Sequence, residues 1–240
     1  ANGLATGLRS DPYVMALAAI DECVRNLVCV GADPDRIAIL DNFCWPSCAD
    51  PRSLGSLVRA AEGCYDGAKA YRTPFISGKD SLNNQFTTED GEKILIPPTL
   101  LISGMGIVEQ SEQAVSSDLK AAGNLLVLVG STGPEMDGSH FAMLTNLVDQ
   151  RLPEVDLELG PYTARTVAEI LRRDLACSAH DLSEGGVLVA AAEMAVGGGL
   201  GLDLDLDEVP GVRDADMVAR AFAEHPSRYL LEVTPDKLNA

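Results

Sequence analysis

Apolar and polar positions alternate along this chain with two periods, one helical and one of two residues, and the switches between them mark its elements. From Asp11 the apolar residues Val14, Met15, Leu17, Ala18, Cys23, Leu27 and Val28 recur at helical spacing. Asp11 stands as cap and Pro12 at the first helical position, so a helix is predicted. The run Arg36 to Phe43 predicts a strand. Asp50-Pro51 repeats the cap-then-proline signal and opens a second helix reaching about Tyr71. The sequence PFISG then predicts a strand ending at a glycine turn at Gly78. A charged hairpin tip at Thr87 to Lys93, a long strand from Thr99 to Glu109 and a polar joint near Ser116 to Gly123 follow.

The second half opens on a buried strand, Asn124 to Thr132, running into the glycine-containing loop GPEMDGSH. A helix from about Thr163 to Asp174, the short strand ACSAHD, the glycine turn LSEGG and the helix VLVAAAEMAV come next. The sequence GLDLDLDEV predicts an acidic-faced strand, and a helix from Arg213 to Glu224 and a strand from Arg228 to Val233 close the pattern. Glycine loops recur at different kinds of connection, which favours two α+β lobes, residues 1–118 and 119–240, over one doubly wound sheet.

Composition narrows the function classes. With 240 residues, 46% of them apolar and 22% charged, the chain can bury a full core. A formal charge of −18 with no basic cluster repels phosphate backbones and anionic lipid, so neither nucleic acid nor a membrane surface is expected as a partner. Anionic substrates then need local handling by Mg²⁺, helix N-termini and a few placed cations. The six cysteines show no CxxC spacing and read as reduced, buried thiols of a cytoplasmic protein. Cys44, Cys48 and Cys64 lack a fourth ligand for zinc. No apolar run has the length of a spanning helix, and no signal sequence opens the chain. A start without methionine and an end just after SRYLLEV suggest a piece of a longer polypeptide.

Four stretches could carry chemistry. In ISGKDSLNN, Gly78, Lys79 and Asp80 follow a β-type run, where a turn could place backbone N–H groups, a cation and a carboxylate around a phosphate or a magnesium-bound nucleotide. It is not a Walker A loop, which needs glycine and Ser or Thr where Thr73 and Asp80 stand. Glu22 and Asn26, one helical turn apart, offer hard oxygen donors suited to Mg²⁺, although spacing alone favours a solvated polar stripe flanked by Asp21 and Arg25. In His180 to Gly186 a strand meets a helix N-terminus. There Asp181 and Ser183 are either ordinary caps or part of a metal–phosphate site with outward-facing amides. His180, with no nucleophile motif and no second histidine at ligand spacing, reads as a structural hydrogen-bonding residue. The strand end Asp41 to Pro46 sets a carboxylate and the single tryptophan at one edge, as ligand contacts or as core and a turn cap.

Taken in order, DPYVMALAAIDECVRNL, ILDNFCWP, EGCYDGAKAYRTPFISGKDSLNN, PPTLLISGMG and AHDLSEGGVLVAAAEMA resemble the synthetase region of the phosphoribosylformylglycinamidine synthases, the PurL family. The five motifs span essentially the whole chain and correspond to the second of two similar halves. The resemblance implies an AIR-synthase-type N-lobe followed by a C-lobe, paired with the missing N-terminal half about a pseudo-twofold axis. It further implies ATP-dependent conversion of formylglycinamide ribonucleotide to the amidine: the amide oxygen is phosphorylated, and ammonia from glutamine, delivered by a glutaminase subunit or fused domain, displaces phosphate.

Carried onto this sequence, the resemblance makes Glu22, Asn26 and Asp181 metal-binding positions and brings Ser183 to the nucleotide. Asp41, Gly78, Lys79 and Ser81 match positions that reach ATP and substrate. Small-form members often carry asparagine where Lys79 stands, and a protonated lysine pairs with phosphate rather than Mg²⁺. Asp41 matches its counterpart only across a gap. In the large forms the set on the first helix belongs to a nucleotide site often regarded as structural. The catalytic histidine belongs to the missing half, so the piece alone is not expected to turn over. Two other readings remain: a non-catalytic nucleotide-binding scaffold, and another enzyme of the same architecture, such as a selenophosphate synthetase or thiamine-phosphate kinase relative.

Overall fold

The computed structural model describes residues 2–4, 11–147, 151–211 and 216–238. Strand β1 (Asn2–Leu4) is followed by helix α1 (Pro12–Cys29), which begins where predicted: the Asp11 carboxylate accepts the Tyr13 N–H at 2.9 Å, and Pro12 needs no partner for a missing N–H. Strand β2 (Ala38–Cys44) leads to helix α2 (Pro51–Tyr71), capped by Asp50 on the Ser53 N–H and closed by Arg72 in the left-handed region. The chain continues through β3 (Phe75–Ser81), the hairpin β4 (Gln85–Thr87) and β5 (Lys93–Leu95), and β6 (Thr99–Met105). The first sheet has the order β1-β6-β2-β3, with β2 and β3 parallel across the α2 crossover and the other pairs antiparallel.

The second sheet, ordered β7-β9-β8, is antiparallel throughout. It joins β7 (Leu125–Val129), β8 (Ser178–Asp181) and the fully buried central β9 (Tyr229–Val233). Around it lie α3 (His140–Thr145), α4 (Leu159–Arg172), α5 (Gly186–Gly198) and α6 (Met217–Phe222). One apolar core runs through both lobes. Ala16, Ile20, Val24 and Val28 of α1 meet Ile39, Leu100 and Ile102 on one side and Val167, Ala179 and Leu231 on the other. Helix α1 is therefore buried on most of its circumference. Its close approach to α2 depends on small residues there: a Cβ on Gly63 would stand 2.6 Å from the Tyr13 carbonyl oxygen, and one on Gly67 2.9 Å from Ile20 Cδ1.

Several expectations are corrected. PFISG does not end in a turn, because β3 continues through Gly78 to Ser81 in parallel register with β2. GLDLDLDEV forms no strand. Among the described residues it has no ladder partner, and Asp205 caps a short 3₁₀ turn over Leu206–Glu208 instead. Strand β6 stops at Met105, after which Gly106 packs against Ala32 and Ile37 and the Ile107 carbonyl accepts the Asp33 N–H. Strand β7 is only half-buried, being an edge strand paired with β9 alone. Helix α4 starts earlier than its apolar pattern, because the Asp156 carboxylate collects the Glu158 and Leu159 N–H groups at 2.9 and 2.8 Å. Helix α3, absent from the sequence reading, is set by the Ser139 hydroxyl accepting the Ala142 N–H at 3.1 Å. The helix expected from Arg213 is described only over α6, since residues 212–215 lie outside the described residues.

Candidate functional site

A cavity of about 920 Å³ opens where α1 faces the β8–α5 turn, and Glu22, Asn26, Asp181, Ser183, Glu184 and His180 line it together with residues from Leu188 to Gly197 along α5. Glu22 and Asn26 come from one lobe and Asp181 and Ser183 from the other, so the shared core brings the two oxygen-donor sets to one opening. Burial pushes the Glu22 carboxyl above its ordinary pKa against the pull of Arg25, and the like charges of Glu184 and Asp181 add to the rise.

Among the described residues no group of three His, Cys, Asp or Glu side chains is gathered closely enough to hold a metal ion. The donor chemistry does fit a hard divalent cation. Glu22, Asn26 and Asp181 offer only oxygen ligands, and a cation beside Glu22 would relieve the crowding of carboxylates there.

The residues read as solvated flanks are instead buried. Asp21 and Arg25 are 1% and 5% exposed and pair at 2.7 Å. Arg25 Nη1 donates to the Leu182 carbonyl at 2.7 Å and to Ser183 Oγ at 3.2 Å, and stands 3.6 Å from Asp181 Oδ2. The Ser183 hydroxyl donates to the same Asp181 oxygen. Asp21 accepts from Tyr71 OH at 2.5 Å and from Ser227 N–H and Oγ–H at 2.9 and 2.6 Å. The spacing of Asp21 and Arg25, an acid one turn before a base, signals an ion pair in sequence but not its burial.

One further expectation changes and one is met. The amides at the start of α5 do not face outward: the Gly185 N–H donates to Glu224 at 2.8 Å and the Gly186 N–H to the Ser183 carbonyl at 3.2 Å. An internal carboxylate thus occupies the place expected for a phosphate. His180 has the hydrogen-bonding surroundings expected of it, its Nδ1–H 2.6 Å from the Asp181 carbonyl oxygen and its Nε2 3.2 Å from Glu193.

The residues of β2 and β3 lie outside this cavity and divide over two faces of their sheet. Asp41 stands opposite Gly78 on the helix-facing side, where the alternation Ile39, Asp41, Phe43 places it. A Cβ on Gly78 would be 1.9 Å from Asp41 Oδ1, so glycine serves here to admit a neighbouring carboxylate rather than to make a turn. The Lys79 backbone N–H is engaged by Asp41. Burial raises the Asp41 carboxyl's pKa, Asp80 adds to the rise, and that bond opposes it. Lys79 and Ser81 project from the other face beside Asn42 and Cys44, with the Lys79 ammonium on the Ser81 hydroxyl. Trp45 belongs to the core, fully buried with Nε1–H on Ser56 Oγ at 2.9 Å.

With the two lobes and the cavity between them defined, comparison places the chain in a family. The AIR synthase related protein N-terminal domain matches residues 1–108 and its C-terminal domain residues 121–240, and the chain belongs to the AIR synthase related proteins. It is similar to the phosphoribosylformylglycinamidine synthase subunit PurL of Deinococcus radiodurans, 38% identical over 229 residues, covering 93% of this chain and 30% of that protein. The PurL subunit of Thermococcus sibiricus is 33% identical over 221 residues, with 92% and 30% covered. The chain thus spans about 30% of the length of the curated relatives it matches. In fold it is similar to T. maritima PurL complexed with ATP, with TM-score 0.71, 20% identity, and 95% of this chain and 34% of that one covered. AaThiL complexed with AMPPCP and TMP shares the fold at TM-score 0.65 and 15% identity, with 100% and 75% covered. No helix among the described residues is long and apolar enough to cross a membrane.

Proposed function

We propose that this chain is the second synthetase half of a PurL-type phosphoribosylformylglycinamidine synthase, an ATP-dependent ligase of purine biosynthesis working in the cytoplasm. Residues 1–118 form its N-lobe and 119–240 its C-lobe. The observation that carries this reading is the meeting of Glu22 and Asn26 with Asp181 and Ser183 in one cavity, in a chain similar to PurL along more than nine-tenths of its length. In that cavity Glu22, Asn26 and Asp181 hold Mg²⁺ on the phosphates of ATP, and Ser183 touches the nucleotide. The cation supplies the positive charge that an acidic protein lacks for a polyphosphate.

Asp41, Gly78, Lys79 and Ser81 serve a second nucleotide and formylglycinamide ribonucleotide site completed by the N-terminal half of the synthetase. Ammonia comes from a glutaminase partner or domain. Support for a missing half comes from the first sheet and its hairpin, which expose Leu101, Met105, Phe86, Ile94 and Leu95. One observation favours a narrower role for the cavity itself: Asp181 is built into a buried interlobe network, as suits a nucleotide retained for structure.

The experiment uses the full-length protein with ATP, formylglycinamide ribonucleotide and ammonia. Ser81→Ala should lower turnover with nucleotide content unchanged. Asp181→Ala should lose bound nucleotide, and whether the remaining folded protein still turns over separates a structural from a catalytic cavity. Wild-type turnover in Ser81→Ala would end the assignment of the sheet residues.

A further inference from the structure

We propose that Arg25, anchored by Asp21, is the positioning residue of the interlobe cavity: its guanidinium fixes the turn Asp181–Ser183 against helix α1 and thereby sets the spacing between Glu22 and Asp181. The inference rests on the reading of that cavity as a metal–nucleotide site only for what the spacing serves.

Arg25 issues from the same helical turn that carries Glu22 and Asn26, so any fixed point on it is fixed relative to both. Its bond to the Leu182 carbonyl, 2.7 Å, falls on the peptide linking Leu182 to Ser183, one residue after Asp181, and pins the backbone of the turn that carries both side chains. The same nitrogen reaches Ser183 Oγ at 3.2 Å, and that hydroxyl in turn holds the Asp181 carboxylate. Asp21, through Ser227, draws in the segment leading to β9, and through Tyr71 the end of α2. A guanidinium spans these three acceptors because its donors form a rigid fork; an ammonium on a flexible stem is a single point and cannot serve all of them.

The network also separates two roles. Ser227 braces Asp21 from the β9 side through its N–H and hydroxyl, whereas Arg25 bonds the turn directly. A general brace would respond alike to cutting either end.

The test compares full-length wild type, Arg25→Lys and Ser227→Ala. Without nucleotide, hydrogen exchange is followed at the amides of Leu182, Gly185 and Gly186, which are bonded to Arg228, Glu224 and Ser183. Arg25→Lys should speed exchange there by about tenfold, the equivalent of one lost charge-assisted bond, with β2 and β6 unchanged. Exchange unchanged at the turn, or raised equally throughout the protein, overturns the proposal.

With Mg²⁺ and the non-hydrolysable analogue AMPPCP, Arg25→Lys should bind about tenfold more weakly and Ser227→Ala close to wild type. Equal weakening in both variants reduces Arg25 to a brace and also overturns it. If Glu22→Gln and Asp181→Asn bind AMPPCP as wild type does, the nucleotide reading of the cavity fails, while the exchange measurement still decides what Arg25 does.

Discussion

Asp21 and Arg25 carry opposite charges one helical turn apart, a spacing that serves an exposed pair as readily as a buried one. What distinguishes the cases is the number of further partners, and those come from Tyr71, Leu182, Ser183 and Ser227, remote in sequence. Asp21→Ala leaves the Arg25 guanidinium buried without its carboxylate. It should cost about 3–5 kcal/mol, read as a fall in the denaturation midpoint. The sequence read all six cysteines as buried thiols, and the structure bears this out for Cys23, Cys29 and Cys64 but not for Cys44, Cys48 and Cys177, which are partly exposed. Burial pushes the Cys64 thiol up to about 12 and raises those of Cys23 and Cys29 as well. Brief iodoacetamide treatment of native protein at neutral pH should label Cys44 and Cys48 and leave Cys23, Cys29 and Cys64 unmodified until denaturant is added, as peptide mass spectrometry will show.

Among the elements, those whose cap and period agree were readable: Asp11-Pro12 and Asp50-Pro51 start α1 and α2 where the sequence puts them. Strands β2, β6 and β9 were readable from their apolar runs as well, but features set by a neighbouring strand were not. Glycine at Gly78 suggested a turn because nothing local reveals that Asp41, on the neighbouring strand, fills the space of its missing side chain. The acidic alternation of GLDLDLDEV fits a strand, yet among the described residues no ladder receives it. Glu22, Asn26, Asp181 and Ser183 were singled out as candidate ligands through the resemblance, while their lining one cavity required the fold of α1 across both lobes.

Glu232 on β9 was likewise invisible in the run SRYLLEV. It is 1% exposed, and its carboxylate accepts from the Lys120 and Ala121 amides, Asn124 and Ser178, tying the interlobe segment to the second sheet. Burial by itself raises its pKa, but these bonds outweigh it and hold the carboxyl below its ordinary value. A group with a depressed folded-state pKa stabilises the fold fully above its unfolded pKa and loses that contribution as pH falls through the folded one. Glu232→Gln should therefore cost about 2–3 kcal/mol at pH 7 and flatten the acid limb of stability, because the amide presents a donor to donors already in place. Equal acid sensitivity in mutant and wild type, followed by urea midpoints from pH 7 to pH 3, would count against this account.

At the scale of the whole molecule, the two larger sheets have separate strand orders but share one apolar core, which runs through helix α1 and is flanked by α4 where it touches α2. The α1 face toward α2 holds Ile20, fully buried against Gly67, and the opposite side meets α4 and β8. Independent lobes would confine the effect of a cavity to its own side, whereas a core shared through α1 transmits it to the far sheet. Ile20→Ala removes a buried side chain on the N-terminal side and should cost about 2–5 kcal/mol. If the lobes unfold as one unit, the protection of slowly exchanging amides in β9 falls by the same free energy as that in β2 and β6, and the fluorescence of the buried Trp45 changes at the same denaturant concentration as the far-UV dichroism. Loss of protection in β2 and β6 with β9 unaltered would mean that α1 bridges two separately stable bodies. The cavity between them would then depend on their relative placement rather than on a common core.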